Sequence, residues 1–312
     1  MLSTFLHNLY AKIIVLLGAV FVIALIVVFT GDTPRNIAST EDSSVYKPDM
    51  FESISLEAKA AFVWDVNKQK ALFTLNEQVQ LPLASLTKLM TALIAIELLP
   101  ESSVIMIDAK ALVEEGDSGL IANERWNLSD LLRFTLITSS NDGASAVASI
   151  AGLLKTRFPA RNGESKKAFV KAMNEKAREI SLNQTYFINP TGLDTNGDIG
   201  GGYGSARDAA LLLEYAVVST PEIVEATRHN LLQFNSLSDI NHTATNTNSR
   251  INVVPGLIAS KTGFTDLAGG NLVIAFDAGL SHPIIISVLG STQEGRFRDV
   301  EKLVTASLMS LD

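Results

Sequence analysis

Hydrophobic positions follow three regimes along the chain. Residues 13–29 read IIVLLGAVFVIALIVVF, apolar and uncharged throughout. Closed by Thr30, the stretch is 18 residues long, about the length that crosses a hydrocarbon core. A core helix would carry a polar edge. This stretch has none, so it predicts a membrane span. It exceeds the apolar region of a cleavable signal peptide, and no A-x-A precedes a plausible cut, so an uncleaved anchor is expected. Lys12 before it and Arg35 after it bias the orientation only slightly, toward the N-terminus inside. Residues 31–55 mix Gly, Pro, Ser, Thr and acids without a period and read as a linker. The expected layout is a short segment 1–12, an anchor 13–30, a linker 31–55 and one folded domain over 56–312.

Within that domain the pattern is periodic. Residues 60–66 (AAFVWDV) and 70–75 (KALFTL) flank Asn67-Lys68-Gln69 and read as a hairpin. Apolar residues at 86, 89, 90, 93, 94 and 98 predict a helix that begins after Pro82. Residues 128–154 read as a helix pair broken before Asp142. Further helices are expected over 168–180 and 206–218. Residues 257–265, 269–277 and 282–291 read as three successive strands, and a last helix starts near Arg296. Strands first, helices in the middle, strands again and a closing helix predict an α/β (α+β) fold. An antiparallel sheet drawn from both chain ends is flanked by helices, and the middle forms a helical lobe.

Composition narrows the chemistry. The net charge of −8 argues against a nucleic-acid partner, which calls for a basic patch. With no cysteine there is no disulfide framework and no thiolate metal site. The four histidines, His7, His229, His242 and His282, are scattered. Neither a His-based metal site nor a Ser-His-Asp triad is expected, so a nucleophile here needs another base. No metal or cofactor is called for.

Three short motifs supply that base. They are Ser85-Leu86-Thr87-Lys88 (S-x-x-K), Ser139-Ser140-Asn141 (S-x-N) and Lys261-Thr262-Gly263 (K-T-G). About one S-x-x-K arises by chance in a chain this long, and Ser181-Leu182-Asn183 is a second S-x-N that we take as a decoy. Order and context carry the signal: one motif at a helix start, one between two helices, one on a late strand. Serine is a weak nucleophile until a base takes its proton. Positions i and i+3 share a helix face, so Lys88 can aim its amine at the Ser85 hydroxyl. A buried lysine with cationic neighbours has a lowered pKa, and Lys261 is a candidate for such a neighbour. Gly263 lets a substrate backbone lie close to the strand, and Thr262 can bind a carboxylate.

The trio is the one found in penicillin-binding proteins and class A β-lactamases. Residues 83–92 (LASLTKLMTA), 139–152 (SSNDGASAVASIAG), 186–197 (YFINPTGLDTNG), 204–208 (GSARD) and 260–273 (SKTGFTDLAGGNLV) resemble the serine-type D-alanyl-D-alanine carboxypeptidases, the low-molecular-weight penicillin-binding proteins. The resemblance covers residues 56–312 and implies a β-lactamase/transpeptidase-like fold. It implies Ser85 as the acylated nucleophile, Lys88 as base, Ser139 as proton relay and Asn141 as partner of the substrate amide. Lys261 and Thr262 would hold the terminal carboxylate. The backbone N–H groups of Ser85 and Phe264 would form the oxyanion hole, and Arg296 would stand near the carboxylate site. Departures are Ser140 and Gly143, where the family varies or often has alanine, and Ser260, where leucine is common. No β-rich C-terminal domain is expected after the last helix.

The implied activity is cleavage of D-alanyl-D-alanine ends of peptidoglycan peptides, inhibited by β-lactams. A single-pass location in the cytoplasmic membrane, with the domain outside, goes with it. An endopeptidase of cross-links would use the same site. A class A β-lactamase needs a Glu for its deacylating water. Glu175 stands at roughly the right distance but inside a helical run, with Glu rather than Asn at position 179. An inactive envelope binding module would have no use for a paired Ser and Lys.

Overall fold

The computed structural model describes residues 50–116, 118–156 and 163–311. The expected span 13–30, the segment before it and the linker up to residue 49 lie outside the described residues. Among the described residues no helix is long and apolar enough to cross a membrane. Phe51, inside the expected linker, is buried and stacks on Phe73 with ring centroids 5.6 Å apart.

The first hairpin forms as expected, β1 (Ala60–Asp65) and β2 (Lys70–Leu75). Asp65 accepts the Lys68 N–H at 2.9 Å and closes the turn. Next come β3 (Leu81–Pro82) and the helix α1 (Thr87–Leu98), then β4 (Val104–Met106) paired with β5 (Arg125–Asn127). The helical lobe is α2 (Leu128–Thr138), α3 (Asn141–Leu153) and α4 (Glu164–Glu179). Strands β6 (Tyr186–Phe187) and β7 (Gly202–Gly204) join β3 in a small sheet. Helices α5 (Ala206–Ser219) and α6 (Pro221–Val224) lead to a hairpin, β8 (Leu231–Asn235) and β9 (Asn241–Thr245). Strands β10 (Leu257–Thr265), β11 (Gly269–Asp277) and β12 (Pro283–Ser291) precede α7 (Gly295–Leu311).

The main sheet is antiparallel in the order β10-β11-β12-β1-β2. Pairing of β1 with β12 joins the two ends of the domain. Successive side chains of a strand point to opposite faces, and here both faces are covered. Ala60, Phe62, Val273, Ala275 and Ile285 enter the core shared with the helical lobe. Ala61, Val63, Leu272, Ile274 and Ile286 enter a second core under Phe297, Val300 and Leu303 of α7. Burial on both sides explains why these strands read as nearly continuous apolar runs.

Two features of this layout position a site. Strand β10 is an edge of the sheet, so one row of its backbone groups is free of sheet partners. Helix α1 is buried around its circumference from Thr87 to Ala95, not along one face as its apolar spacing predicts. Its polar side chains therefore need partners inside the protein, and Lys88 and Thr91 have them.

Candidate active site

Ser85 stands where β3 turns into α1. Leu83 N–H bonds the Gly202 carbonyl at 2.9 Å. Ala84 then takes a left-handed conformation (φ 48°), and a 3-10 turn over Ala84–Leu86 runs into the helix. Gly192, itself at φ 82°, lies so close that a Cβ there would overlap the Ala84 carbonyl. This packing holds the strained turn, and the strain fixes the serine at a helix entrance.

Lys88 follows one turn later, with no side-chain exposure. Its Nζ lies 2.9 Å from Ser85 Oγ, 2.6 Å from Asn141 Oδ1 and 2.7 Å from the Thr191 carbonyl. As an ammonium it fills all three donors. As a neutral amine it keeps two donors for Asn141 and Thr191 and turns its lone pair on the serine hydroxyl. Burial lowers its pKa to about 7, against a weaker pull upward from the Glu114 carboxylate. A base that loses its proton near neutrality suits general-base work. Burial and the neighbouring cation Lys261 were both expected to act on it. Burial is the leading cause, and the neighbour effect runs the other way: the Lys88 charge helps to push Lys261 down.

The opposite wall is β10. Lys261 Nζ donates to Ser139 Oγ and to the Thr262 carbonyl, each at 2.9 Å. Burial first, then the charges of Lys88 and Arg296, hold its pKa well below the usual lysine range. Thr262 Oγ1 shares a 2.5 Å hydrogen bond with Thr247 Oγ1. A Cβ on Gly263 would stand 2.9 Å from the Leu83 carbonyl and 3.2 Å from Ser85 N. Only glycine lets the strand pass this close to the serine turn, with Phe264 the next residue along. Arg296 is buried behind the strand and donates to the Gly263 carbonyl at 2.7 Å. Its contact is with the strand backbone.

The S-x-N turn closes the third side. Ser139 is left-handed (φ 61°), which ends α2 and aims its hydroxyl at Lys261. Asn141 spans two partners, accepting from Lys88 and donating to the Glu115 carbonyl at 2.6 Å. The second N–H of its amide is available to a substrate. The structure thus brings together Ser85, Lys88, Ser139, Asn141, Lys261, Thr262 and Gly263, with Arg296 one layer behind.

The departures from the family pattern have local reasons. Ser140 caps α3 by accepting the Gly143 N–H at 2.9 Å, and a Cβ on Gly143 would collide with Thr135 Oγ1. Ser260 donates its N–H to Thr227 Oγ1 at 2.9 Å and accepts from Asn248 at 3.1 Å, so polar bonds replace apolar packing. The second S-x-N falls just past α4. Glu175 is an exposed residue of α4 whose carboxylate lies 3.4 Å from Lys171, i to i+4. Sequence reasoning missed Thr191, Thr247 and the Glu115 carbonyl. Thr191 lay within a quoted segment, but nothing in its residue type marks a backbone acceptor.

Fold and site together define a penicillin-binding/transpeptidase-like protein: a mixed α/β domain with a serine-lysine pair facing a K-T-G edge strand. Penicillin-binding protein D2 from Listeria monocytogenes, solved with cefotaxime bound, aligns with a TM-score of 0.66 at 26% identity, over 81% of this chain and 98% of that one. The D-alanyl-D-alanine carboxypeptidase family model matches residues 45–293, and the chain belongs to that family. It is 31% identical over 255 residues to the D-alanyl-D-alanine carboxypeptidase DacF of Bacillus subtilis, covering 80% of this chain and 61% of the relative. It is also 31% identical over 230 residues to the D-alanyl-D-alanine endopeptidase of Pseudomonas aeruginosa, covering 70% of this chain and 67% of the relative.

Proposed function

We propose that the chain is a serine DD-peptidase that cleaves D-alanyl-D-alanine ends of peptidoglycan peptides and is acylated by β-lactams. The observation that carries this reading is the buried Lys88 amine, 2.9 Å from Ser85 Oγ, with a pKa brought down to about 7. Neutral Lys88 takes the Ser85 proton as Oγ attacks the carbonyl of the penultimate residue. The Ser85 and Phe264 N–H groups receive the oxyanion. Lys261 and Thr262 hold the terminal carboxylate, and its negative charge offsets the burial that lowers the Lys261 pKa. The C–N bond breaks, and the proton taken by Lys88 reaches the departing amine through Ser139. Water then attacks the ester, and Ser85 is released.

The proposal includes a location. Residues 13–30 anchor the chain in the cytoplasmic membrane, with the domain on the outer side. The length and apolarity of that stretch support this, as does the extracytoplasmic position of the substrate. Protease added to spheroplasts then digests the domain, and full protection contradicts the orientation.

Labelling with a fluorescent penicillin, followed by mass spectrometry of the tagged peptide, tests the assignment. The tag is expected on the peptide that contains Ser85, with none in Ser85→Ala. A tag on Ser139, or labelling retained in the variant, overturns it. A β-lactamase reading loses its base, because Glu175 is exposed on α4 and engaged with Lys171. The penicilloyl ester is therefore expected to be long-lived, while a peptide, whose leaving residue departs and vacates the carboxylate site, turns over.

A further inference from the structure

One peptide of β10 has a buried cation on one side and the cleft on the other. Arg296 is buried and donates to the Gly263 carbonyl at 2.7 Å. Among the described residues no carboxylate pairs with its guanidinium, and its Nε is buried without a hydrogen-bond partner. Taking a charge out of water without an ionic partner is costly, and a neutral donor would satisfy one carbonyl without that cost. The packing brings the charge there all the same. Gly270 pairs across the sheet from Phe264, and a Cβ on Gly270 would overlap the Thr292 carbonyl. The missing side chain lets the entrance of α7 close in beside the end of β10. Arg296 follows one turn later, its N–H on that same Thr292 carbonyl at 3.1 Å.

Two features fix which way the Gly263–Phe264 peptide faces. Successive carbonyls of a strand point to opposite edges. The Thr262 carbonyl meets Lys261 Nζ in the cleft, so the Gly263 carbonyl is turned away from it, toward Arg296. The peptide bond is trans, and a trans peptide carries its N–H opposite its C=O. The Phe264 N–H therefore faces the cleft. Ser85 N is close by, 3.2 Å from where a Gly263 Cβ would stand. In the reading above, on which this inference rests, these two N–H groups receive the oxyanion.

We propose that Arg296 is the positioning residue of that oxyanion hole. Its bond clamps the Gly263 carbonyl, so the Phe264 N–H cannot rotate off the cleft. Its charge polarises the same peptide and makes the N–H a stronger donor. It also sets a fixed positive charge behind the point where negative charge develops. Arg296 acts through the peptide and touches neither the terminal carboxylate nor the reacting atoms.

The test uses diacetyl-L-lysyl-D-alanine methyl ester, whose leaving group has no carboxylate. Arg296→Met removes donor and charge, Arg296→Gln is a second neutral variant should the first not fold, and Arg296→Lys keeps the charge. Assays at pH 9 lie above the Lys88 pKa of about 7, so a changed charge beside Lys261 does not enter. Deleting an oxyanion donor outright costs about 10²–10³-fold in kcat. In the neutral variants kcat for the ester should fall by about tenfold or more with KM little changed, and Arg296→Lys should recover part of the loss. Infrared difference spectra of the penicilloyl enzyme, made with isotope-labelled penicillin, supply the second readout. The ester carbonyl band should move to higher wavenumber in the neutral variants, because weaker hydrogen bonding leaves the C=O stiffer. An unshifted band in a penicillin-labelled variant overturns the inference. So does a loss confined to peptides with a terminal carboxylate, which would make Arg296 a carboxylate ligand. If the unmodified chain neither cleaves the ester nor takes the penicillin label, the DD-peptidase reading itself fails.

Discussion

Lys88 and Lys176 are both buried lysines on helices of the same domain, and they sit in opposite electrostatic states. Lys176 Nζ stands 2.7 Å from Glu97 and 2.7 Å from Glu179. Burial pulls its pKa down, but hydrogen bonds to the two carboxylates outweigh that and hold it above the ordinary range. Lys88 meets only a hydroxyl, an amide oxygen and a backbone carbonyl. Lys261 and Arg296 likewise donate to a hydroxyl and backbone carbonyls. A structural buried charge normally has its partner in the protein, because desolvation without one is costly. In the cleft no carboxylate touches either lysine, and the charge of Glu114 offsets the burial of Lys88 only in part. One amine is thereby made a base, and the other is left to be matched by a substrate carboxylate.

Substitutions can break this contrast, in falling order of effect. Lys88→Arg keeps the charge and removes the base, because guanidinium does not deprotonate. The penicillin acylation rate should fall by about 10²–10⁴-fold, the usual worth of general-base assistance. Asn141→Asp turns Lys88 into a second Lys176 by placing a carboxylate where Oδ1 now stands, 2.6 Å from Nζ. A charge that close shifts a pKa by about 1–3 units. The acylation profile should move to higher pH, and the rate at pH 7 should fall by roughly 10- to 1,000-fold, recovering in alkali. Lys261→Met removes a charge-assisted bond worth about 1.5–3 kcal/mol. In peptide assays kcat/KM should drop by about 10- to 100-fold, chiefly through KM. Glu97→Gln tests the other side. Its carboxylate is 39% exposed, so the pair is solvent-screened and the loss should be about 1 kcal/mol or less in urea unfolding. Acylation should not change. A large loss of acylation there would mean that the two lysines are not independent.

The sequence carried much of this fold because its elements are locally written. The hairpin at 60–75, the helix pair at 128–154 and the last three strands lie within a residue or two of their expected bounds, since each buries a regular set of apolar side chains. The short pieces were not legible. Strands β8 and β9 are five residues each and mostly exposed, with β9 polar, and β3, β6 and β7 are two or three residues long. The three motifs were legible as types and in order. Their geometry was not, because it depends on backbone states and distant partners. Ser139 and Ala84 adopt left-handed turns that their residue types disfavour. The Thr191 carbonyl reaches Lys88 from 103 residues away. Arg296 could be placed behind the K-T-G strand only once α7 was seen packed on the sheet.

The central claim is that Lys88 is a base because its burial is not offset by a carboxylate in contact with it. The pH dependence of the second-order acylation rate with a fluorescent penicillin, measured in the full chain from pH 5 to 10, tests it most directly. The reactive form is the neutral amine, so the rate should rise about tenfold per pH unit below the apparent pKa and level off above it. That pKa should lie near 7, rather than at the free-lysine value of about 10.4, and it belongs to the coupled Lys88–Lys261 pair. A rate that keeps climbing past pH 9, or one that falls as pH rises through 7, would contradict the account.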